Sequence, residues 1–219
     1  MPLLAIDTSA HLCAVCLFDI ENDIIIAENT RDIGRGHAEF LIDQIENCLK
    51  ESSLGYSDLS KVGAVCGPGS FTGLRVGLSV ARSFALSLKI EAIGISALHV
   101  AEAAAIGADL ETKILTVLDA RRDEAYCKYS DQKEPFIRSY AQLATELEKD
   151  VGAFCGSGSR RLAELANRSL PIRHEYGAPP ISIAARLAAS LKPDDNPPEP
   201  LYLRNADAKP QSGFALRMA

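Results

Sequence analysis

Residues 3–31 carry three apolar runs, "LLAIDTS" (3–9), "LCAVCLFD" (12–19) and "DIIIAENTR" (23–31). Only Ala10-His11 and a turn near Glu21-Asn22 separate them. Their length and patterning read as strands. Links this short cannot hold a crossover, so neighbouring strands must run antiparallel. An amphipathic helix follows at about 37–52, where Ala38, Leu41, Ile42, Ile45, Cys48 and Leu49 share one face. "KVGAVCG" (61–67) is a buried strand, and a glycine-rich loop leads from it into a helix at about 73–88. The strand "IEAIGIS" (90–96) and the helix "ALHVAEAAA" (97–105) come next, with Ser96 placed to cap that helix.

"GADLETK" (107–113) interrupts this order, and strand-like "ILTVLDA" (114–120) and "EAYCKYS" (124–130) resume it. A helix at 141–149, a strand at 152–157 and helices at 160–166 and 181–192 complete the pattern, before the extended, proline-rich "PDDNPPEPLYLR" (193–204). Both halves mix sheet and helix. The chain therefore reads as two α/β lobes, 1–104 and 105–219, with a seam near 104–112.

No apolar run reaches the roughly 18 residues needed to span a bilayer. "MPLLAIDTSAHLCAVCLF" lacks a positive leader, so a cytoplasmic location is expected. A net charge of −6 argues against a large standing interface with a nucleic-acid backbone. The six cysteines are scattered through strand-like runs, which fits buried thiols rather than a disulfide framework. In a strand, Cys13 and Cys16 point to opposite faces and cannot share a metal.

"GPGSFTGLRVG" (67–77) has the composition of a phosphate loop but the wrong spacing for known ones. No lysine follows Gly73, and the third glycine falls one residue late for the dinucleotide fingerprint. A glycine turn from a buried strand into a helix still offers N–H groups and a dipole end to an anion. Asp7, Thr8 and Ser9, with Gly67, Gly69, Ser70, Thr72 and Gly73, form the candidate cradle. In the competing reading, Gly67 and Gly69 make a tight turn and Thr72 caps the helix.

Behind the loop, Gly73, Gly77, Ala81 and Ala85 recur every fourth residue and make a smooth stripe. Small residues let another helix or a sheet approach closely. The stripe faces either the protein's own sheet or a partner. As a docking face it predicts that Gly77→Leu or Ala81→Arg abolishes partner binding without unfolding the chain. "DARRDEAY" (119–126) reads as a hairpin turn with a solvated tip, and "CGSGSRRL" (155–162) as a turn into a helix. The four histidines, at 11, 37, 99 and 174, include no metal-binding pair, and no nucleophile elbow is present.

Taken in order, "LAIDTSAHLCAVCL", "HAEFLIDQI", "GPGSFTGLRVGLSVARSFALSL", "IGISALHVAEAA", "LDARRDEAY" and "PLYLR" resemble the TsaB family of tRNA threonylcarbamoyladenosine synthesis. The resemblance runs from about residue 3 to 204. It implies a two-lobed, actin-like, sugar-kinase-like and heat-shock-chaperone-like ATPase fold. It also implies a non-catalytic subunit that binds the related TsaD protein, with TsaE joining them and tRNA contacted indirectly. Helices 37–52 and 73–88 would supply the interface, through His37, Leu41, Ile45, Gly73, Arg75, Gly77, Leu78, Ala81, Arg82 and Ala85. No cofactor is implied for the lone chain; ATP or threonylcarbamoyl-adenylate would bind only within the complex.

TsaD keeps a metal-binding His-x-x-x-His where Ala97 and Ala101 stand here, and His99 is out of register with both. Methyl groups ligate no metal. The alternatives are an independent enzyme of the same fold, either a glycoprotease-type metallopeptidase or a nucleotide hydrolase, and a module that dimerises with itself.

Overall fold

A computed structural model of the chain describes residues 1–106, 112–175 and 178–204. Strands β1 (Pro2–Asp7), β2 (Leu12–Asp19) and β3 (Ile24–Asp32) form the expected antiparallel meander. Strands β4 (Lys61–Gly67) and β5 (Glu91–Ser96) add in parallel on the other side of β1, giving the order β3-β2-β1-β4-β5. Helix α1 (His37–Glu51) connects β3 to β4, and α2 (Phe71–Leu88) connects β4 to β5.

Alternation along β1 assigns the two faces of this sheet. Leu4 and Ile6 pack with Leu41 and Ile45 of α1 and with Leu74, Leu78 and Ala81 of α2. Leu3 and Ala5 pack on the opposite face with Leu98 and Ala101 of α3 (Ala97–Ala105) and with Ala184, Ala185 and Ala188 of α6 (Ile181–Ser190). Cys13 and Cys16 fall in different cores, as strand geometry requires.

The second sheet has the order β10-β9-β6-β7-β8, built from β6 (Ile114–Asp119), β7 (Glu124–Tyr129), β8 (Phe136–Ser139), β9 (Ala153–Cys155) and β10 (Ile172–His174). Helices α4 (Tyr140–Glu146) and α5 (Ser159–Ala166) cover it through Tyr140, Leu143 and Leu162, which pack on Leu115, Val117 and Phe154. Helix α3 touches both sheets, and a buried ion pair fixes it to the second one, with Lys128 Nζ 2.8 Å from Glu102 Oε2. The expected two-lobed α/β architecture is thus present.

Three expectations need correction. Helix α2 begins two residues early because Ser70, not Thr72, is its cap and accepts the Gly73 N–H at 3.3 Å. The Ser96 side chain makes no capping bond to α3. The grouping of everything after residue 104 in a second lobe also fails, because α6 and residues 191–204 pack on the first sheet. Gly94 N–H donates to Asn196 O at 2.9 Å and Leu201 N–H to Cys66 O at 2.8 Å, so this strap follows the β4 and β5 side of the first lobe. Residues 107–111 of the expected seam lie outside the described residues. Among the described residues no helix is long and apolar enough to cross a membrane.

All six cysteines are free and buried. Burial pushes their thiols up, to about 11 for Cys13, Cys48, Cys66 and Cys155 and to about 12 for Cys16 and Cys127. A thiol held that far above its ordinary range is a poor nucleophile at neutral pH. Native protein at pH 8 is therefore expected to leave Ellman's reagent unreacted over minutes, and urea-unfolded protein to titrate all six thiols.

Candidate functional site at the glycine loop and the first helix pair

Strand β1 ends in a turn built by its own side chains. Ser9 N–H donates to Asp7 Oδ1 at 2.8 Å, and Thr8 Oγ1 donates to Gly73 O at 2.7 Å. Ser70 N–H donates to Ser9 O at 2.7 Å, which ties the loop down onto that turn. A Cβ at Gly69 would overlap Ser9 O, one at Gly73 would overlap Thr8 O, and one at Gly77 would overlap Thr8 Oγ1. The glycines thus let α2 press directly on the end of β1.

This contact weighs against an anion cradle. A phosphate at a helix start needs unused N–H groups and an empty space in front of them. Here the Ser70 and Gly73 N–H groups already have acceptors, and the carbonyl oxygens of Thr8 and Ser9 face the loop. Asp7 is half-buried at the side of this turn, and burial raises its carboxyl above the ordinary range. The residues named as a cradle do come together, but around one another.

The small-residue stripe faces inward. Gly73, Gly77 and Ala81 are buried against Thr8, Ile6 and the core, so they are not a docking surface. His37, Leu41, Ile45 and Leu78 are buried as well, and His37 Nε2 lies 3.1 Å from Leu12 O. Of the expected interface residues, Arg75 and Arg82 are exposed and Ala85 is half-buried.

The accessible surface of the pair is a different set. A groove of about 470 Å³ runs between α1 and α2, lined on the α2 side by Phe71, Arg75, Val76 and Val80 and on the α1 side by Ala38 and Ile42. Large apolar side chains stand open on this surface, Ile42 41% and Phe71 52% exposed in the groove lining and Leu86 84% exposed further along α2. The exposed charges divide by helix. On α1 they are mainly Glu39, Asp43 and Glu51; on α2 they are Arg75 and Arg82, with no acidic residue in that helix. Periodicity had counted Ile42 among the buried positions, and the four-residue spacing of small residues drew attention to the inward face. The available signal was that Phe71 and Leu86 are apolar yet lie outside the buried stripe.

Ala97 and Ala101 sit in the core beside Ile181 and Ala184, while His99 is exposed on the other side of α3. Among the described residues, no group of three or more His, Cys, Asp or Glu side chains is placed to hold a metal. The "DARRDEAY" segment forms the β6–β7 turn. Its tip residues Arg121, Arg122 and Asp123 are exposed and all adopt positive φ. Asp123 pairs with Arg161, and Arg204 pairs with Glu124.

Two stability tests follow from this geometry. Gly77→Ala is expected to cost about 1–3 kcal/mol in urea unfolding, because a close-packed contact is overfilled; Gly77→Leu and Ala81→Arg are expected to unfold the chain rather than to spare it. Because the folded-state pKa of Asp7 is raised, its contribution to stability is present when protonated and lost as pH rises through that value. Asp7→Asn keeps an acceptor for Ser9 N–H. Its urea midpoint should match or exceed the parent's at pH 7.5, with the difference shrinking toward pH 4.

The sequence model described as "TsaD: tRNA N6-adenosine threonylcarbamoyltransferase" matches residues 29–146. An uncharacterized protein of Mycobacterium tuberculosis is 32% identical over 213 residues, covering 95% of this chain and 94% of that one. The "tRNA threonylcarbamoyladenosine biosynthesis protein TsaB" of Escherichia coli is 32% identical over 126 residues, covering 58% of this chain and 53% of its own length. The Bacillus subtilis protein of the same name is 33% identical over 126 residues, again covering 58% of this chain and 53% of its own length. Among solved structures, YeaZ from Pseudomonas aeruginosa superposes with a TM-score of 0.75 at 20% identity, over 92% of this chain and 99% of that chain. The ethanolamine utilization protein EutJ of Carboxydothermus hydrogenoformans superposes with a TM-score of 0.51 at 9% identity, over 86% and 89%. At those identities the two structures bear on the fold alone. The sequence relatives and the family match together establish that this chain belongs to the TsaB family.

Proposed function

We propose that this chain acts in threonylcarbamoyladenosine synthesis on tRNA, as a non-catalytic cytoplasmic subunit that docks TsaD through the outer face of α1 and α2. The observation that carries the reading is the open groove between these helices, lined by Ile42 and Phe71, with Leu86 exposed further along α2. Exposed apolar side chains of this size, grouped on one face, mark association surfaces. The names of the TsaB relatives supply the pathway.

The TsaD family match spans both helices, so the partner carries equivalents of α1 and α2. Two such pairs can pack as a bundle. The charge division then gives orientation, with the arginines of α2 meeting acidic residues and the carboxylates of α1 meeting basic ones. The chemistry belongs to TsaD in this reading. In this chain Ala97 and Ala101 offer methyl groups to the core, and the glycine loop is spent on Thr8 and Ser9. ATP or threonylcarbamoyl-adenylate enters only in the assembled complex, which TsaE joins, and contact with tRNA is indirect. An unpartnered groove also favours weak self-association of the isolated chain, which TsaD should displace.

Ile42→Glu places a carboxylate in the centre of the proposed contact while leaving the core untouched. Its affinity for TsaD, measured by calorimetry, is expected to fall at least about 30-fold, the loss of one hot spot of about 2 kcal/mol. The variant should retain the parent's melting temperature. Cells carrying it should lose threonylcarbamoyladenosine from tRNA, as read by nucleoside mass spectrometry. Unchanged affinity would refute the docking face.

A further inference from the structure

Helix α2 has a neighbour on each side. Val76 and Val80 line the groove shared with Ala38 and Ile42 of α1. On the opposite flank, Arg82 Nε donates to Pro198 O at 2.7 Å and Arg75 Nε donates to Tyr202 Oη at 3.2 Å. At 100° per residue, Ser79 and Leu86 fall on the arc between these two flanks. The exposed surface therefore has three ridges, contributed by α1, α2 and the strap of residues 191–204.

The strap ends in an aromatic corner. Tyr202 packs on Phe71 with ring centroids 5.4 Å apart, and the Arg75 guanidinium lies over the Phe71 ring at 3.9 Å from its centroid. The backbone beside it is anchored, since Leu201 N–H donates to Cys66 O at 2.8 Å. Both rings nevertheless stay open, Phe71 at 52% and Tyr202 at 46% exposed. Leu201, next to Tyr202, packs on the first-lobe core. Two ordered rings and an arginine, half in solvent and continuous with an apolar groove, are the residue types and arrangement that anchor protein interfaces.

We infer that the C-terminal strap is the third element of the TsaD-docking face, with Tyr202, Phe71 and Arg75 forming one anchoring cluster. This rests on the docking reading given above and adds to it a contact from a segment more than a hundred residues away in sequence. The occupant is the same α1/α2-type helix pair of TsaD. The TsaD family match over residues 29–146 spans both α1 and α2, so the occupant is a helix pair of the same kind, and α2, which carries no acidic residue, presents Arg75 to it at this corner.

The test compares three variants and one measurement on the parent chain. Tyr202→Ala is expected to weaken calorimetric affinity for TsaD at least about tenfold, with Tyr202→Phe within about threefold of the parent because the ring is kept. Ser79→Trp, at the centre of the arc, should abolish binding. In parent protein, hydrogen exchange of peptides covering 196–204 should slow when TsaD is added. If Ser79→Trp binds normally, the docking face itself is wrong. If Ser79→Trp fails to bind while Tyr202→Ala binds like the parent, or if exchange in 196–204 is unchanged by TsaD, the strap is not part of the interface and the inference is overturned. The exchange measurement decides the matter even should Tyr202→Ala unfold.

Discussion

The close approach of helix α2 to the end of β1 organises the first lobe. Thr8 donates to the Gly73 carbonyl, Ser70 donates to the Ser9 carbonyl, and the faces of Gly73 and Gly77 leave no room for anything larger than hydrogen between helix and strand. Each of these contacts is short-range and intolerant of volume. Together they fix the rotation of α2 about its axis. That rotation decides which residues are spent on the core and which are left on the surface.

Two functional consequences come from the one packing choice. The Ser70 and Gly73 N–H groups and the space beside Gly69 and Gly73 are taken up in holding the strand end, which weighs against an anion there. The same rotation leaves Phe71, Arg75, Ser79 and Leu86 exposed, the first three lining the groove with Ile42 of α1. The C-terminal strap reinforces it, since Pro198 and Tyr202 hold Arg82 and Arg75 from the far side.

Much of the architecture was legible in the sequence because its causes are local. Strand runs with links of two and three residues forced the β1–β3 meander, and apolar periodicity marked α1, α2, α3 and α6 within a few residues. Short edge strands were not legible: β8 and β10 have four and three residues, too few to show an alternation. The return of α6 and the strap to the first sheet depends on long-range contacts that no window of sequence contains. At the candidate site, the small-residue stripe was correctly seen as a close-packing surface, but its spacing could not say against what. Only the Thr8 contact resolves the direction. Phe71 and Leu86 are marked in the sequence only as apolar positions off the buried stripe, and Tyr202 carries no periodic signal, so the exposure of all three is known only from the structure.

The direction of α2 is also what a single experiment can address most directly. A photo-cross-linking amino acid placed at Ser79, in the middle of the outward arc, should capture TsaD in high yield, whereas the same group at Arg138, on β8 of the second lobe, should capture none. Efficient capture from position 138 together with silence at position 79 would contradict the assignment of the outer face of α2 as the docking surface.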